Sequence, residues 1–391
     1  MMNIGKVTRI AAMGAVVAAF AAGCSKEGGE AAAEEKTDLA PQALEAAKAA
    51  GALPADGGEL HIYTWSDYIA PEVIQGFEKA LNCKVVVDTF ESNEAMYAKL
   101  KAGGTGYDII TPSSYQIKMM AREKMIVELD HAKIPNVRRN FDKSFVKQIL
   151  DPTFRYNVPY AVTYTGFMYA KSKVPEGVAV DSWSVLGNPA FKGRITLLDD
   201  IREVIGAGLM YKGHSINSTD PKEIDEAVEQ VLKWRANLRK FDAESYKTEV
   251  ASGATYIGHG YSTDTTQVIV GDEDEGMPPR ADIGFALPKE GFTIAFDEMV
   301  IAAGAKRPDL AYAFINYVYD GEVAAANMDY LCGPTPVAPG IAKLDEDYRK
   351  LIVLSDEQLK HGQVLDAIDD KPGAMELYNK AWDRIKATDG K

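Results

Sequence analysis

The groups in this chain best placed to do chemistry are carboxylates set beside aromatic rings. Asp297 closes the run Thr293-Ile294-Ala295-Phe296, which otherwise reads as an apolar strand. A carboxylate there costs free energy unless it has a partner, and a ligand can be that partner. Trp65-Ser66-Asp67-Tyr68 places two rings around an acid, in polar company. The rings suit either a ligand wall or a core, and Asp67 either a ligand contact or a stabiliser of the following turn. Asp200 and Glu203 have the spacing of a helix N-cap and its capping box. A cap residue can also face a ligand. Bond-making machinery is missing from the pattern: there is no GxSxG and no phosphate-binding loop. His61, His131, His214, His259 and His361 are scattered without HExxH or similar spacing. Cys83 and Cys332 form no CxxC pair. They are expected to be free and buried, although geometry alone decides whether they bridge. No catalytic residue, metal ligand or cofactor is therefore assigned.

The elements that would position these residues alternate. Leu60 to Thr64 reads as a strand, and Pro71 opens a helix whose apolar face carries Val73, Ile74, Phe77 and Leu81. Lys84 to Phe90 is a second strand, Ser92 caps a second helix, and Tyr107 to Thr111 is a third strand. This β-α-β-α-β order implies a parallel sheet flanked by helices. Ligands of such sheets sit beyond the carboxyl ends of the strands. Trp65 to Tyr68 follows the first strand and Pro112-Ser113-Ser114-Tyr115 the third, so both loops fall at that crevice. A second unit follows: a strand over Arg194 to Leu198, a helix from Ile201, an amphipathic helix over Pro221 to Leu238 and a short strand at Thr255 to Gly258. Ile283 to Leu287 and Thr293 to Phe296 are further strands, and Pro308 to Val318 a helix.

With 391 residues, 46% hydrophobic and 26% charged, the chain is long enough for two lobes, each with its own core. The net charge of −14 argues against a nucleic-acid partner, because phosphate neutralisation needs Lys and Arg. The start is a targeting segment. Lys6 and Arg9 precede an uncharged apolar run from Ile10 to Gly23, too short to span a bilayer, which needs about 20 residues. It ends in Ala21-Ala22-Gly23-Cys24, similar to a bacterial lipobox with Ala21 in place of the usual Leu. Residues 1–24 are thus expected to be a lipoprotein signal peptide with Cys24 as the lipidated residue; the alternative is an ordinary signal peptide. Residues 25–58, rich in Ala, Glu and Gly, read as a flexible acidic tether, with a transient helix over Thr37 to Ala50.

Several stretches resemble one family together and in order: HIYTWSDYIAPEVIQGFEK, ESNEAMYAKLKAGGTGYDIITPSSY, LLDDIREV, STDPKEID, FALPKEG and GPTP. From about residue 59 to the end, the chain resembles the spermidine/putrescine-binding proteins of bacterial polyamine ABC transporters. The resemblance implies an α/β fold of the two-lobed periplasmic-binding-protein type (type II-like). Each lobe would be a mixed, mostly parallel sheet flanked by helices, with hinge strands near Thr163 to Gly166 and Ile294 to Asp297. The expected division is 59–163 and 294–337 in lobe 1, 164–293 in lobe 2, and 338–391 as C-terminal helices on lobe 2. It also implies ligand contacts at Trp65, Asp67, Tyr68, Ser113, Tyr115, Asp200, Glu203, Tyr261, Asp264 and Asp297. Tyr261 falls where the family has Trp, and Asp264 where putrescine-preferring members have Asp; Asp264 could equally be an acid solvating a loop.

Such a set suits a polyamine, which carries ammonium groups separated by methylenes. Carboxylates supply the hydrogen bonds that the ammonium groups lose with water. Aromatic faces wall the methylenes and add cation–π attraction of about 0.5–2 kcal/mol per contact. Two positions depart from the family: Ala295 replaces an aromatic, and Gly333 replaces the Tyr that precedes PTP in spermidine binders. Tyr164 is the candidate to fill the space. The expected protein is a monomeric, non-enzymatic, membrane-anchored carrier at the periplasm or outer cell surface. It would capture putrescine or spermidine and hand it to the permease subunits of an ABC transporter. Alternatives are a carrier of another small organic cation or amino acid, a sensory partner of a membrane receptor, and a hydrolase using two carboxylates as acid and base.

Overall fold

The computed structural model describes residues 57–272 and 276–387. The leader with Cys24, and the tether up to residue 56, lie outside the described residues. The first strand, β1 (Gly58–Trp65), pairs in parallel with β2 (Cys83–Phe90) and with the short β3 (Ile109–Ile110). The helix Pro71–Leu81 joins β1 to β2 and buries Val73, Phe77 and Leu81, one side of a helical stripe. Asn82 ends it in a left-handed conformation, its N–H donating to the Glu78 carbonyl. The helix Asn93–Lys101 is capped as expected, with the Ser92 hydroxyl accepting from the Ala95 N–H at 3.1 Å.

Two long strands carry the chain between lobes. β4 (Asn157–Ala170) runs antiparallel to β9 (Phe292–Ile301), with Thr163 opposite Ala295 and Thr165 opposite Thr293. The first half of β4 lies in the β1–β3 lobe. Its second half pairs with β7 (Ile257–Tyr261) and β8 (Ile283–Ala286). Beyond β7 come β5 (Ile195–Leu197) and β6 (Leu238–Phe241), both parallel. The strand order is β2-β1-β3-β9-β4-β7-β5-β6, so one sheet threads both lobes. Each lobe keeps its own core. One centres on Leu60, Ile62, Phe77, Phe296 and Phe314, the other on Phe167, Trp183, Ile195, Trp234 and Ile257.

The structure departs from the sequence-based expectations in five places. Asp297 lies inside β9, not after a strand ending at Phe296. Asp264 sits in the first turn of the helix Ser262–Val270, not in a loop. β4 contains the hinge stretch expected at Thr163 to Gly166 but runs well beyond it at both ends, from Asn157 to Ala170; Pro159 is accommodated at a register shift between Pro159 and Ala161. The segment 338–391 does not pack on lobe 2 as a unit. Ile341, Tyr348, Ile352 and Leu359 are buried in the lobe 1 core, whereas Ile368, Tyr378, Ala381 and Ile385 are buried in lobe 2. Between them β10 (Gly362–Val364) pairs in parallel with Phe292 to Ile294, making a third passage between lobes. Apolar spacing assigns these helices an apolar face but not the core it meets. Lastly, neither Cys83 nor Cys332 is in a disulfide, and only Cys332 is fully buried.

Candidate functional site

A cleft of about 760 Å³ opens between the lobes along β4 and β9, and all ten residues singled out in the sequence line it. On the hinge, Asp297 Oδ1 accepts from Ser113 Oγ at 2.6 Å, and its Oδ2 accepts from the Tyr68 hydroxyl. These donors are neutral. Burial raises the Asp297 pKa above the usual carboxylate value, with the two hydrogen bonds acting against it. The carboxylate is therefore held in position without a countercharge.

Asn93 organises the lobe 1 side, and nothing in the sequence singled it out. Its Oδ1 accepts from the Ser113 N–H at 3.0 Å, and its Nδ2 donates to Ser113 Oγ at 3.0 Å and to Tyr115 OH at 2.9 Å. It is buried in the first turn behind the Ser92 cap, an arrangement that local spacing does not reveal. Tyr160 OH donates to the Tyr68 carbonyl at 2.8 Å and so steadies the loop after β1. In that loop Asp67 takes a left-handed φ of 54°, a conformation Asp tolerates better than most residues. Trp65 tilts against Phe90 with ring centroids 4.5 Å apart, and its Nε1 is buried with no hydrogen-bond partner among the described residues.

On the lobe 2 side Asp200 does cap its helix, accepting from the N–H groups of Arg202 at 2.7 Å and Glu203 at 2.9 Å. Glu203 does not complete a capping box. It reaches instead to the hinge, accepting from Thr165 Oγ1 of β4 at 3.1 Å and Thr293 Oγ1 of β9 at 2.8 Å. Burial first, and the Asp200 charge second, push its pKa up to about 8. His259 Nε2 stands 4.0 Å from Glu203 Oε2. Burial drives the imidazole down to about 3, so it is neutral and the contact is not an ion pair. Tyr261 ends β7 and its N–H donates to Tyr246 OH at 2.8 Å; Tyr246 OH donates to Asp264 Oδ2 at 2.6 Å. Burial, then Asp200, raises the Tyr261 pKa, so its hydroxyl keeps its proton.

The structure accounts for the missing aromatic at Gly333. Tyr164 does not fill the space: its ring is buried edge-on to Phe292, away from the cleft lining. Tyr330 lines the cleft instead, its hydroxyl donating to Asp67 Oδ1 at 3.3 Å. A Cβ at Gly333 would lie 2.6 Å from Thr263 Cγ2, so Thr263 already occupies the approach a side chain there would need. The rim adds Glu91, Glu94, Asp199 and Glu244.

Two lobes sharing one threaded sheet, with a polar, acid-rich cleft at the crossing strands, define a hinged binding protein. The chain belongs to the bacterial extracellular solute-binding proteins, whose family model matches residues 72–352. It is similar to the putrescine/cadaverine-binding protein of Pseudomonas aeruginosa, 34% identical over 343 residues, 86% of this chain and 96% of that one. It is also similar to the putrescine-binding periplasmic protein PotF of Escherichia coli, 33% identical over 72% of this chain and 78% of PotF. Among solved structures, the spermidine/putrescine substrate-binding protein PotD of Streptococcus pneumoniae superposes with a TM-score of 0.75 at 33% identity, covering 84% of this chain and all of that one (100%). The Tp0655 lipoprotein of Treponema pallidum gives 0.72 at 30% identity, covering 84% and 99%. As a family member, the chain is an extracytoplasmic solute-binding protein of the two-lobed type.

Proposed function

We propose that this protein captures a polyamine in the cleft between its lobes and delivers it to the permease subunits of an ABC transporter. The observation that carries the reading is Asp297: a half-buried carboxylate on the hinge, held only by neutral donors, in a cleft walled by Trp65, Tyr68, Tyr261 and Tyr330. An ammonium group would supply the countercharge. The Asp200–Glu203 pair offers a second anionic station on lobe 2, and the rings cover the methylenes between. Relatives named for putrescine, cadaverine and spermidine support this ligand class. The protein acts as a carrier, not an enzyme. Calorimetry of the protein with putrescine, cadaverine, spermidine, spermine and basic amino acids tests the assignment. Micromolar or tighter binding of at least one polyamine, about −8 kcal/mol, is expected; binding confined to amino acids would overturn it.

The same reading places the protein on a membrane through a lipid on Cys24. The lipobox-like Ala21-Ala22-Gly23-Cys24 and the polar stretch after it support this, as does a structural relative described as a lipoprotein. Cys24→Ser is expected to abolish incorporation of labelled fatty acid and to release the protein from the membrane fraction. Persistent membrane association of that variant would exclude the anchor.

A further inference from the structure

Among the described residues that line the cleft, Lys247 is the only lysine or arginine. It projects from the helix Tyr246–Ser252 toward the helix Ser262–Val270. Its Nζ donates to Gln267 Oε1 at 2.9 Å and stands 3.5 Å from Asp264 Oδ1. The other oxygen of Asp264 accepts from the fully buried Tyr246. Asp264 thus already has a cation and a hydroxyl. The other acidic stations differ. Asp297 meets neutral hydroxyls, Asp200 meets backbone N–H groups, and Glu203 meets two threonines.

Building on the polyamine reading, we propose that Lys247 is a resident ammonium that occupies the Asp264 station and so limits the cleft to ligands with two ammonium groups, linear diamines in preference to triamines. A diamine pairs one end with Asp297 and the other with the Asp200–Glu203 pair. The third ammonium of a triamine is left with two choices. It can approach Asp264 against the like charge of Lys247, or it can remain at exposed acids, Asp67 and those of the rim, where ion pairs contribute little. Lys247 is a specificity-determining residue in this scheme, and Asp264 is its counterion in the empty protein.

The test is calorimetry with putrescine and spermidine on the wild type, Lys247→Met, and Lys247→Met combined with Asp264→Asn. Lys247→Met is expected to raise the ratio of spermidine to putrescine affinity by about tenfold or more. The double variant is expected to return the ratio toward the wild-type value, because the freed carboxylate is gone. A Lys247 that served only to hold two helices together would shift thermal stability and leave the ratio alone. An unchanged ratio in Lys247→Met, in a wild type that binds polyamines, overturns this proposal and leaves the polyamine reading standing. A wild type that binds no polyamine overturns both. A third arm uses γ-aminobutyrate and arginine. Their binding to the wild type, lost in Lys247→Met, would show that Lys247 receives a ligand carboxylate and would also overturn the proposal.

Discussion

Asp297→Asn is expected to lower polyamine affinity by about 30-fold or more while leaving the fold intact. The substitution keeps the shape and removes the charge that a ligand ammonium would meet. Truncating one partner of a buried charge pair costs about 2–5 kcal/mol, and the lower figure already corresponds to about 30-fold. The protein partners of Asp297 are Ser113 Oγ and Tyr68 OH, both neutral donors. Asn retains one carbonyl oxygen for one of them and turns an NH₂ toward the other. Both hydroxyls can rotate to accept instead, so the hydrogen-bonding loss is modest. Against that loss, the variant no longer holds a half-buried carboxylate without a countercharge. The melting temperature of the empty protein is therefore expected to move little. A hinge-bracing role makes the opposite forecast: a lowered melting temperature with unchanged affinity. Measuring both quantities on one preparation decides between them, and the second outcome would remove Asp297 from the ligand site.

Much of the site was legible because its residues follow strand ends and a helix cap. The loops after β1 and β3 must lie beyond the carboxyl ends of parallel strands, and Asp200 carries a cap signature that the structure realises. The helix Pro308–Val318 was bounded by its own signals, Pro at its start and a continuous apolar face. What escaped depends on contacts distant in sequence. Asn93 reaches Ser113 across twenty residues, and Glu203 reaches Thr293 across ninety. No local pattern distinguishes Asn93 from a second capping residue, or Glu203 from the far half of a capping box. Nothing local marks Lys247, which gains Asp264 and Gln267 as partners only where two helices meet. The full length of β4 was not legible beyond its hinge stretch, because Pro159 lies within it, and the division of 338–391 between two cores depends on which surface each apolar face finds.

Glu203 makes the other large forecast, because its burial couples protons to both stability and ligand. In the folded, empty protein its pKa is about 8, above the ordinary 4.5. Between those values the folded state holds a proton that the unfolded state has released, so this residue lowers stability as pH rises from about 4.5 to about 8. Its stabilising contribution is complete below the lower value and is lost on passing the upper one. Glu298 is also pushed to about 8 by burial and acts in the same sense. His259, buried and lowered to about 3, acts in the opposite sense, since below about 6.5 the unfolded chain binds a proton that the folded imidazole refuses. The clean observable is therefore a difference. Glu203→Gln is expected to gain stability over the wild type by roughly 1.4 kcal/mol per pH unit across the window from about pH 4.5 to about pH 8, whatever the other two groups do. Parallel stability profiles for the two proteins would contradict the buried, protonated state. Ligand adds a second readout. An ammonium placed at the Asp200–Glu203 station favours the ionised carboxylate, so polyamine binding at pH 7 is expected to expel a proton from Glu203. Calorimetry in buffers of different ionisation enthalpy should then show close to one proton released by the wild type and markedly fewer by Glu203→Gln. Wild-type affinity should climb by up to about tenfold per pH unit below pH 8, as each ligand bound must displace that proton. A wild type that binds polyamine with no proton release and a flat pH profile would mean that Glu203 stays neutral in the complex. It would then hold β4 and β9 together through Thr165 and Thr293 without meeting the ligand's charge.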